Sequence, residues 1–233
     1  MQDTKIALIG YGKMGHLVEH LATSHGCQVV MRLDSKAKHD GGVLSANALK
    51  GVDVAVEFTN PEAAPENLKA LAVAHIPTVS GTTGWYRRLP EVQQAFEKEG
   101  TGLVYSPNFS VGVAVFRRLV TEAAKMLKDE ADYGAWAWEI HHDAKKDAPS
   151  GTLLHLVEAM KAAGYSRNVD LSSSRAGKHP GTHEVGFDSL ADTITLRHVA
   201  RSREGFALGA LKAARWIASH SGVHTFEEVL FGS

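Results

Sequence analysis

Along the first half of the chain, short unbroken apolar runs trade places with stretches whose apolar residues recur at helical spacing. Residues 5–9 read as a buried strand, 13–25 as a helix ended by Gly26, 28–33 as a second strand and 52–58 as a third. The alternation continues with a helix over 61–74, introduced by Asn60 and Pro61, a short strand over 78–80, a helix over 89–99 and a strand over 103–105. Strands separated by crossover helices make a parallel sheet covered on both faces, so this half predicts a doubly wound α/β domain.

After Asn108 the pattern changes. A helix over 113–128 leads to a strand over 133–140, then a polar segment, a helix over 151–163 and a stretch rich in Gly, Ser and Pro over 164–181. Strand-like runs follow at 183–187 and 193–199. These predict a second domain of α+β type, built on an open sheet rather than on more crossover units. Residues 206–219 carry apolar positions at helical spacing and are expected to pack back on the first domain. The expected division is therefore 1–110 completed by 204–233, with 111–203 as a second domain for substrate binding and oligomerisation.

Composition narrows the classes of function. The chain has 233 residues, 44% hydrophobic and 22% charged, enough to bury an ordinary core in one or two domains. Formal net charge is −1 with acidic and basic residues interspersed, which argues against a nucleic-acid or membrane-surface partner and for a small molecule. The single Cys27 excludes a disulfide within the chain and fits a reducing compartment. No apolar run approaches the roughly 18 residues of a membrane span, and a strand already at residues 5–9 leaves no room for a leader, so a cytoplasmic protein is expected.

Gly10-Tyr11-Gly12-Lys13-Met14-Gly15 stands directly after the first strand and opens the first helix. There the glycines permit a tight turn, close approach of a pyrophosphate and close helix packing, the context that makes a G-x-G-x-x-G a dinucleotide site. Asp34, 19 residues after Gly15, ends the second strand, where a carboxylate can accept hydrogen bonds from the adenosine ribose. Asp34 favours NADH, because a 2′-phosphate would meet like charge. Arg32, Lys36 and Lys38 are each able to pair with that phosphate and leave NADPH open. Three later loops also end predicted strands: Phe58-Thr59-Asn60-Pro61, Gly81-Thr82-Thr83-Gly84 and Ser106-Pro107-Asn108-Phe109. Singly each is turn chemistry; together on one sheet edge they are expected to line the nicotinamide end of the cofactor.

The densest chemistry runs from Glu139 to Thr152, where two imidazoles, two amines and a Ser-Gly-Thr helix start fall within fourteen residues. Ser150 is a suitable N-cap, and the N–H groups of Gly151 and Thr152 then face whatever lies before the helix, a natural seat for an anion. His141 and His142 are neighbours at the end of a strand and face opposite sides, so they are expected to have different tasks. Lys145 and Lys146 follow in a loop where Asp147 can orient either one. A metal is not expected: Asp143 and Asp147 give no recognised ligand spacing with the two histidines, and the lysines would repel a cation.

The run His141-His142-Asp143-Ala144-Lys145-Lys146-Asp147-Ala148-Pro149-Ser150-Gly151-Thr152 resembles the H-H-x-x-K-x-D-A-P-S-G-T signature of the dihydrodipicolinate reductase family. Gly10 to Gly15, Phe58-Thr59, Gly81-Thr82-Thr83 and Asn108-Phe109-Ser110-Val111-Gly112 match that family in the same order, so the resemblance spans nearly the whole chain. The chain is short, and its glycine turn has one residue fewer than many members. The resemblance implies NAD(P)H-dependent reduction of a dihydrodipicolinate-type ring on the diaminopimelate route to lysine, in a homotetramer. It implies His141 and Lys145 as proton donors, with Lys145, His142, Ser150, Gly151 and Thr152 at the substrate carboxylates; Lys146 is off register. A different two-domain oxidoreductase would have no need of the His-His pair together with the Ser-Gly-Thr start, and a dinucleotide sensor would have no need of the proton donors.

Overall fold

The computed structural model describes residues 3–34 and 44–232. They form two compact units, one of residues 1–110 with 204–233 and one of residues 111–203.

The first unit is built on six strands, all parallel. In chain order they are β1 (Thr4–Ile9), β2 (Cys27–Leu33), β3 (Val54–Glu57), β4 (Thr78–Ser80), β5 (Gly102–Tyr105) and β10 (Gly222–Thr225), and across the sheet they run β10-β5-β4-β3-β1-β2. Ile6 to Ile9 and Val54 to Val56 are almost completely buried, as strands covered on both faces must be. Helices α1 (Lys13–Ala22), α2 (Ala64–Val73), α3 (Leu89–Glu99) and α6 (Glu204–Ile217) provide the cover. α6 does so with small residues: Ala207, Gly209, Ala210, Ala213 and Ala214 are buried together with Leu211 and Ile217. A Cβ on Gly209 would lie 1.7 Å from the carbonyl oxygen of Phe109, so only glycine lets the helix approach this closely. Strand order reverses between β1 and β3, which places the ligand crevice of such a sheet at the carboxyl ends of those two strands.

The second unit has a four-stranded sheet in the order β7-β6-β8-β9, from β6 (Gly134–His141), β7 (Val169–Arg175), β8 (Thr182–Asp188) and β9 (Thr193–Val199). Helices α4 (Val111–Leu127) and α5 (Gly151–Ala162) bury Phe116, Val120, Leu153, Leu156 and Met160 against Ala135, Ala137, Val185 and Phe187. The open sheet is present, but it is mixed, which corrects the expectation of no further crossover: β6 and β7 are parallel and joined through α5, whereas β8 and β9 are antiparallel. β7 lies in the stretch read as irregular, because Val-Asp-Leu-Ser-Ser-Ser-Arg shows only two inward apolar residues, Val169 and Leu171, and Ser dominates the rest. β10 and the helix after it, α7 (Phe226–Phe231), also escaped the apolar pattern; β10 has four residues, and α7 is set by a capping box between Thr225 and Glu228.

Candidate active site

Two buried glutamates organise the two units, and neither was singled out from the sequence as a site residue. In the first unit, Gly10 has φ +92°, and a Cβ there would lie 2.1 Å from the carbonyl oxygen of Phe58. The turn after β1 is therefore pressed against the turn after β3. Gly15 makes room for the carbonyl of Gly10, from which its own Cβ would be 2.6 Å, while a Cβ on Gly12 would meet nothing within 4 Å. Gly12 is also the N-cap of α1, which has no side-chain cap and no acidic residue in its first turn. Its first N–H groups, with exposed Gly12 and Lys13 around them, leave a seat for an anion.

The side chain of Glu57, at the end of β3, is completely buried. It accepts from Thr59 N at 2.9 Å, Thr82 Oγ1 at 2.7 Å, Ser80 Oγ at 2.7 Å and the Thr59 hydroxyl. Thr82 Oγ1 in turn accepts from Thr59 N at 2.8 Å. One carboxylate thus ties the loop 58–61 to the loop 81–84. The hydroxyl of Thr82 is turned inward, leaving Thr83 exposed beside it. Gly81 has no room for a side chain, because its Cβ would be 2.0 Å from the Phe58 ring. In the third loop Ser106 Oγ donates to Asn108 O at 2.8 Å and Asn108 Oδ1 accepts from Ser110 N at 2.9 Å, so these side chains hold the loop itself. Pro107 is exposed, whereas Phe109 is a core residue packed on Phe226 with ring centroids 4.9 Å apart. Any cofactor contact from Phe109 has to come from its backbone.

Asp34 directly follows β2. Arg32 pairs with Glu19, which also accepts from the Tyr11 hydroxyl, and the Arg32 guanidinium carbon lies 5.9 Å from the Tyr11 ring centre. Lys36 and Lys38 lie outside the described residues.

In the second unit, β6 puts Glu139 and His141 on the face covered by the helices, since side chains two apart share a face. His142 follows the strand and is half-buried; Lys145 is partly buried and Lys146 is exposed. Asp147 resolves the choice between the lysines: it pairs with Lys145 at 2.9 Å, and that contact lowers its own carboxyl pKa. Ser150 caps α5, accepting from Leu153 N at 3.2 Å. Its residue is 2% exposed and its hydroxyl also donates to Glu139. Ser150 is the N-cap that the sequence predicted, with its hydroxyl engaged in the cap and on Glu139, and the exposed Gly151 and half-buried Thr152 follow it at the helix start.

Glu139 has no exposed surface and gathers donors from four directions. Oε1 accepts from Ser150 N at 2.8 Å, Arg175 Nη2 at 2.8 Å and Ser173 Oγ at 3.1 Å. Oε2 takes the Ser150 hydroxyl and lies 3.3 Å from His183 Nε2 and 3.5 Å from His141 Nδ1. Burial alone pushes this carboxyl pKa up, but the hydrogen bonds from Ser150 and Arg175 outweigh it and hold the group below the ordinary carboxylate range. Burial also lowers His141, against the opposing pull of Glu139, and drives His183 down to about 4, so His183 is neutral at pH 7.

Glu139, His141 and His183 offer ligand atoms within 4.8 Å of one another, a metal-like spacing that the His141-His142 pair did not suggest. The donors already on the carboxylate compete with a cation: Arg175 supplies the positive charge at Oε1 and the Ser150 hydroxyl occupies Oε2. The set is better matched to orienting imidazoles than to holding an ion.

The family models for dihydrodipicolinate reductase match in two parts, the N-terminal one over residues 4–109 and the C-terminal one over residues 112–230. The second match runs on through the segment that completes the first unit, because sequence follows the chain while packing returns it to the first sheet. A protein of Christiangramia forsetii named 4-hydroxy-tetrahydrodipicolinate reductase is 36% identical, with 97% of each chain covered. One of the same name from Archaeoglobus fulgidus is 34% identical, covering 94% of this chain and 96% of that one. The fold is shared with the dipicolinate-bound dihydrodipicolinate reductase of Paenisporosarcina sp. TG-14, at TM-score 0.84 and 21% identity over 97% and 99% of the two chains. It is shared more loosely with an amine dehydrogenase of Mycobacterium smegmatis, at TM-score 0.67 and 11% identity over 97% and 96%. Family models that between them match nearly all of the chain, and relatives of one name along its length, agree with the site geometry: this protein belongs to the dihydrodipicolinate reductase family.

Proposed function

We propose that the chain is a 4-hydroxy-tetrahydrodipicolinate reductase, an NAD(P)H-dependent oxidoreductase acting on a ring CH group in lysine biosynthesis through diaminopimelate. The observation that carries this reading is the start of α5, capped by Ser150 and presenting Gly151 and Thr152, in the same segment as His141 and the Lys145–Asp147 pair. A substrate with two carboxylates explains why so many donors meet there. Lys145, His142 and the amides of Gly151 and Thr152 hold the carboxylates, with Ser150 acting through the cap. His141 and Lys145 hold the proton that quenches the charge left on the ring after reduction. Burial lowers the His141 pKa in the free protein, and a bound dianion favours its charged form, so substrate arrival prepares the donor.

The first unit is assigned to the cofactor and the second to the substrate. Residues 10–15, Asp34, Phe58, Gly81, Thr82, Thr83 and 106–109 would hold a nicotinamide dinucleotide, the glycines by backbone clearance. When bound it supplies the hydride. NADH is the favoured form: Asp34 repels a 2′-phosphate, and Arg32 is already neutralised by Glu19. A homotetramer is proposed on the sheet face opposite α4 and α5, which carries half-buried Trp136, Trp138 and Ile140. A cytoplasmic location fits the single buried Cys27, and no described helix is long and apolar enough to cross a membrane.

Calorimetric titration of the NADH-loaded protein with pyridine-2,6-dicarboxylate checks the substrate class. One site per chain is expected, with pyridine-2-carboxylate bound at least about tenfold more weakly, since a charge-assisted contact is worth about 1.5–3 kcal/mol. Equal affinity for the two acids would remove the second carboxylate contact and with it the dicarboxylate assignment.

A further inference from the structure

We propose that Glu139 is a positioning residue of this reductase site, one buried carboxylate that couples the start of α5 to the orientation of the His141 imidazole. Nothing in the signature requires this residue to do more than fill a strand, yet its two oxygens serve both halves of the site. Ser150, through its N–H at 2.8 Å and its hydroxyl, locks the first turn of α5 onto Glu139, and that turn presents Gly151 and Thr152. The same Oε2 lies 3.5 Å from His141 Nδ1, a buried nitrogen that has no hydrogen-bond partner and so depends on this carboxylate for its electrostatic complement.

A proton placed on Nδ1 by Glu139 leaves Nε2 as the working nitrogen. Gly181 keeps that edge clear, since a Cβ there would stand 3.0 Å from Nε2. A carboxylate in that role has to be ionised, and Arg175 from β7 is placed to keep it so, at 2.8 Å from Oε1. The charged and titratable groups around His141 are Glu139 on its own strand, Arg175 on β7, Lys145 and Asp147 in the following loop, and the His183 ring on β8, 5.0 Å away in an edge-to-face arrangement. Of these, Glu139 and Asp147 favour the imidazolium, while Lys145 and Arg175 oppose it. Glu139 is the larger favourable influence, so its removal leaves His141 harder to protonate.

The inference rests on the reductase reading for its meaning, but its test does not need turnover. The His141 titration is followed by NMR in the free, full-length protein, wild type against Glu139→Gln. The proposal expects the His141 midpoint to move down by about one unit in the variant, because a neutral amide no longer stabilises the imidazolium. The alkaline fall in kcat should follow it to lower pH, and pyridine-2,6-dicarboxylate should bind about tenfold more weakly as the α5 start loosens. A carboxylate with only a structural role predicts the reverse: loosened packing lets water reach His141 and raises its midpoint. A midpoint that rises, or that moves by less than roughly 0.2 unit, overturns the proposal. Should Glu139→Gln not fold, the nitrogen shifts of neutral His141 in the unmodified protein decide it. An Nδ1–H tautomer supports the proposal and an Nε2–H tautomer overturns it. Wild-type protein with the expected tautomer but no reductase activity would leave the coupling standing and remove the function.

Discussion

Replacing Lys145 with alanine is expected to lower kcat by about 10²- to 10³-fold and to raise the KM for substrate about tenfold. The first effect is the loss of a positioned proton donor, generally worth about 10²–10⁴ in rate. The second is the loss of one charge-assisted contact to a carboxylate, about 1.5–3 kcal/mol. The fold should hardly notice: Lys145 is held by the part-exposed Asp147 in an ion pair of the kind worth about 0–1 kcal/mol. Lys146→Ala is the matched control, since that side chain is exposed, and its kcat should stay within about twofold of wild type. Steady-state kinetics with near-saturating cofactor separates the two constants. A Lys145→Ala enzyme with wild-type kcat takes Lys145 out of the chemistry and leaves it, at most, a binding group.

The second large effect is expected at the glycine turn, where two substitutions of the same size should behave differently. Gly10→Ala places a Cβ 2.1 Å from the backbone oxygen of Phe58 at φ +92°, so neither the residue nor its neighbour can yield without moving a strand end. The strain of overpacking and of the left-handed backbone together cost about 2–5 kcal/mol, which should lower Tm by roughly 5–15 °C and abolish NADH binding at ordinary concentrations. Gly12→Ala meets nothing within 4 Å in the protein. Its Tm should be unchanged within about 2 °C, and its NADH affinity should nonetheless fall at least about tenfold, because the added methyl stands where a pyrophosphate must approach. Thermal melts with a fluorescence titration of NADH report both. Unchanged NADH affinity in Gly12→Ala would place the dinucleotide somewhere other than this turn.

The site was legible where its parts are close in sequence. The strand, loop and cap from Glu139 to Ser150 could be read from periodicity and helix-start chemistry, and the matched signature distinguished Lys145 from Lys146. Asp147 then proved to pair with Lys145. The rest arrives by tertiary pairing, which local pattern does not record. Arg175 reaches Glu139 from a strand 36 residues away, and β7 itself was hidden because three serines imitate a loop. His183 comes in from β8, and Glu57 gathers Ser80 and Thr82 from across β3 and β4. A buried carboxylate inside a strand was the available signal for both glutamates, since an unpaired one is too costly to keep.

Reductase activity is read most directly from the change in nicotinamide absorbance when the freshly made product of dihydrodipicolinate synthase is added to the protein with NADH, and separately with NADPH. The controls are pyruvate or aspartate semialdehyde alone. Stoichiometric oxidation is expected that depends on the complete synthase product, is faster at low cofactor concentration with NADH than with NADPH, and is suppressed by pyridine-2,6-dicarboxylate. No oxidation of either cofactor by a folded protein that binds NADH would contradict the reductase assignment.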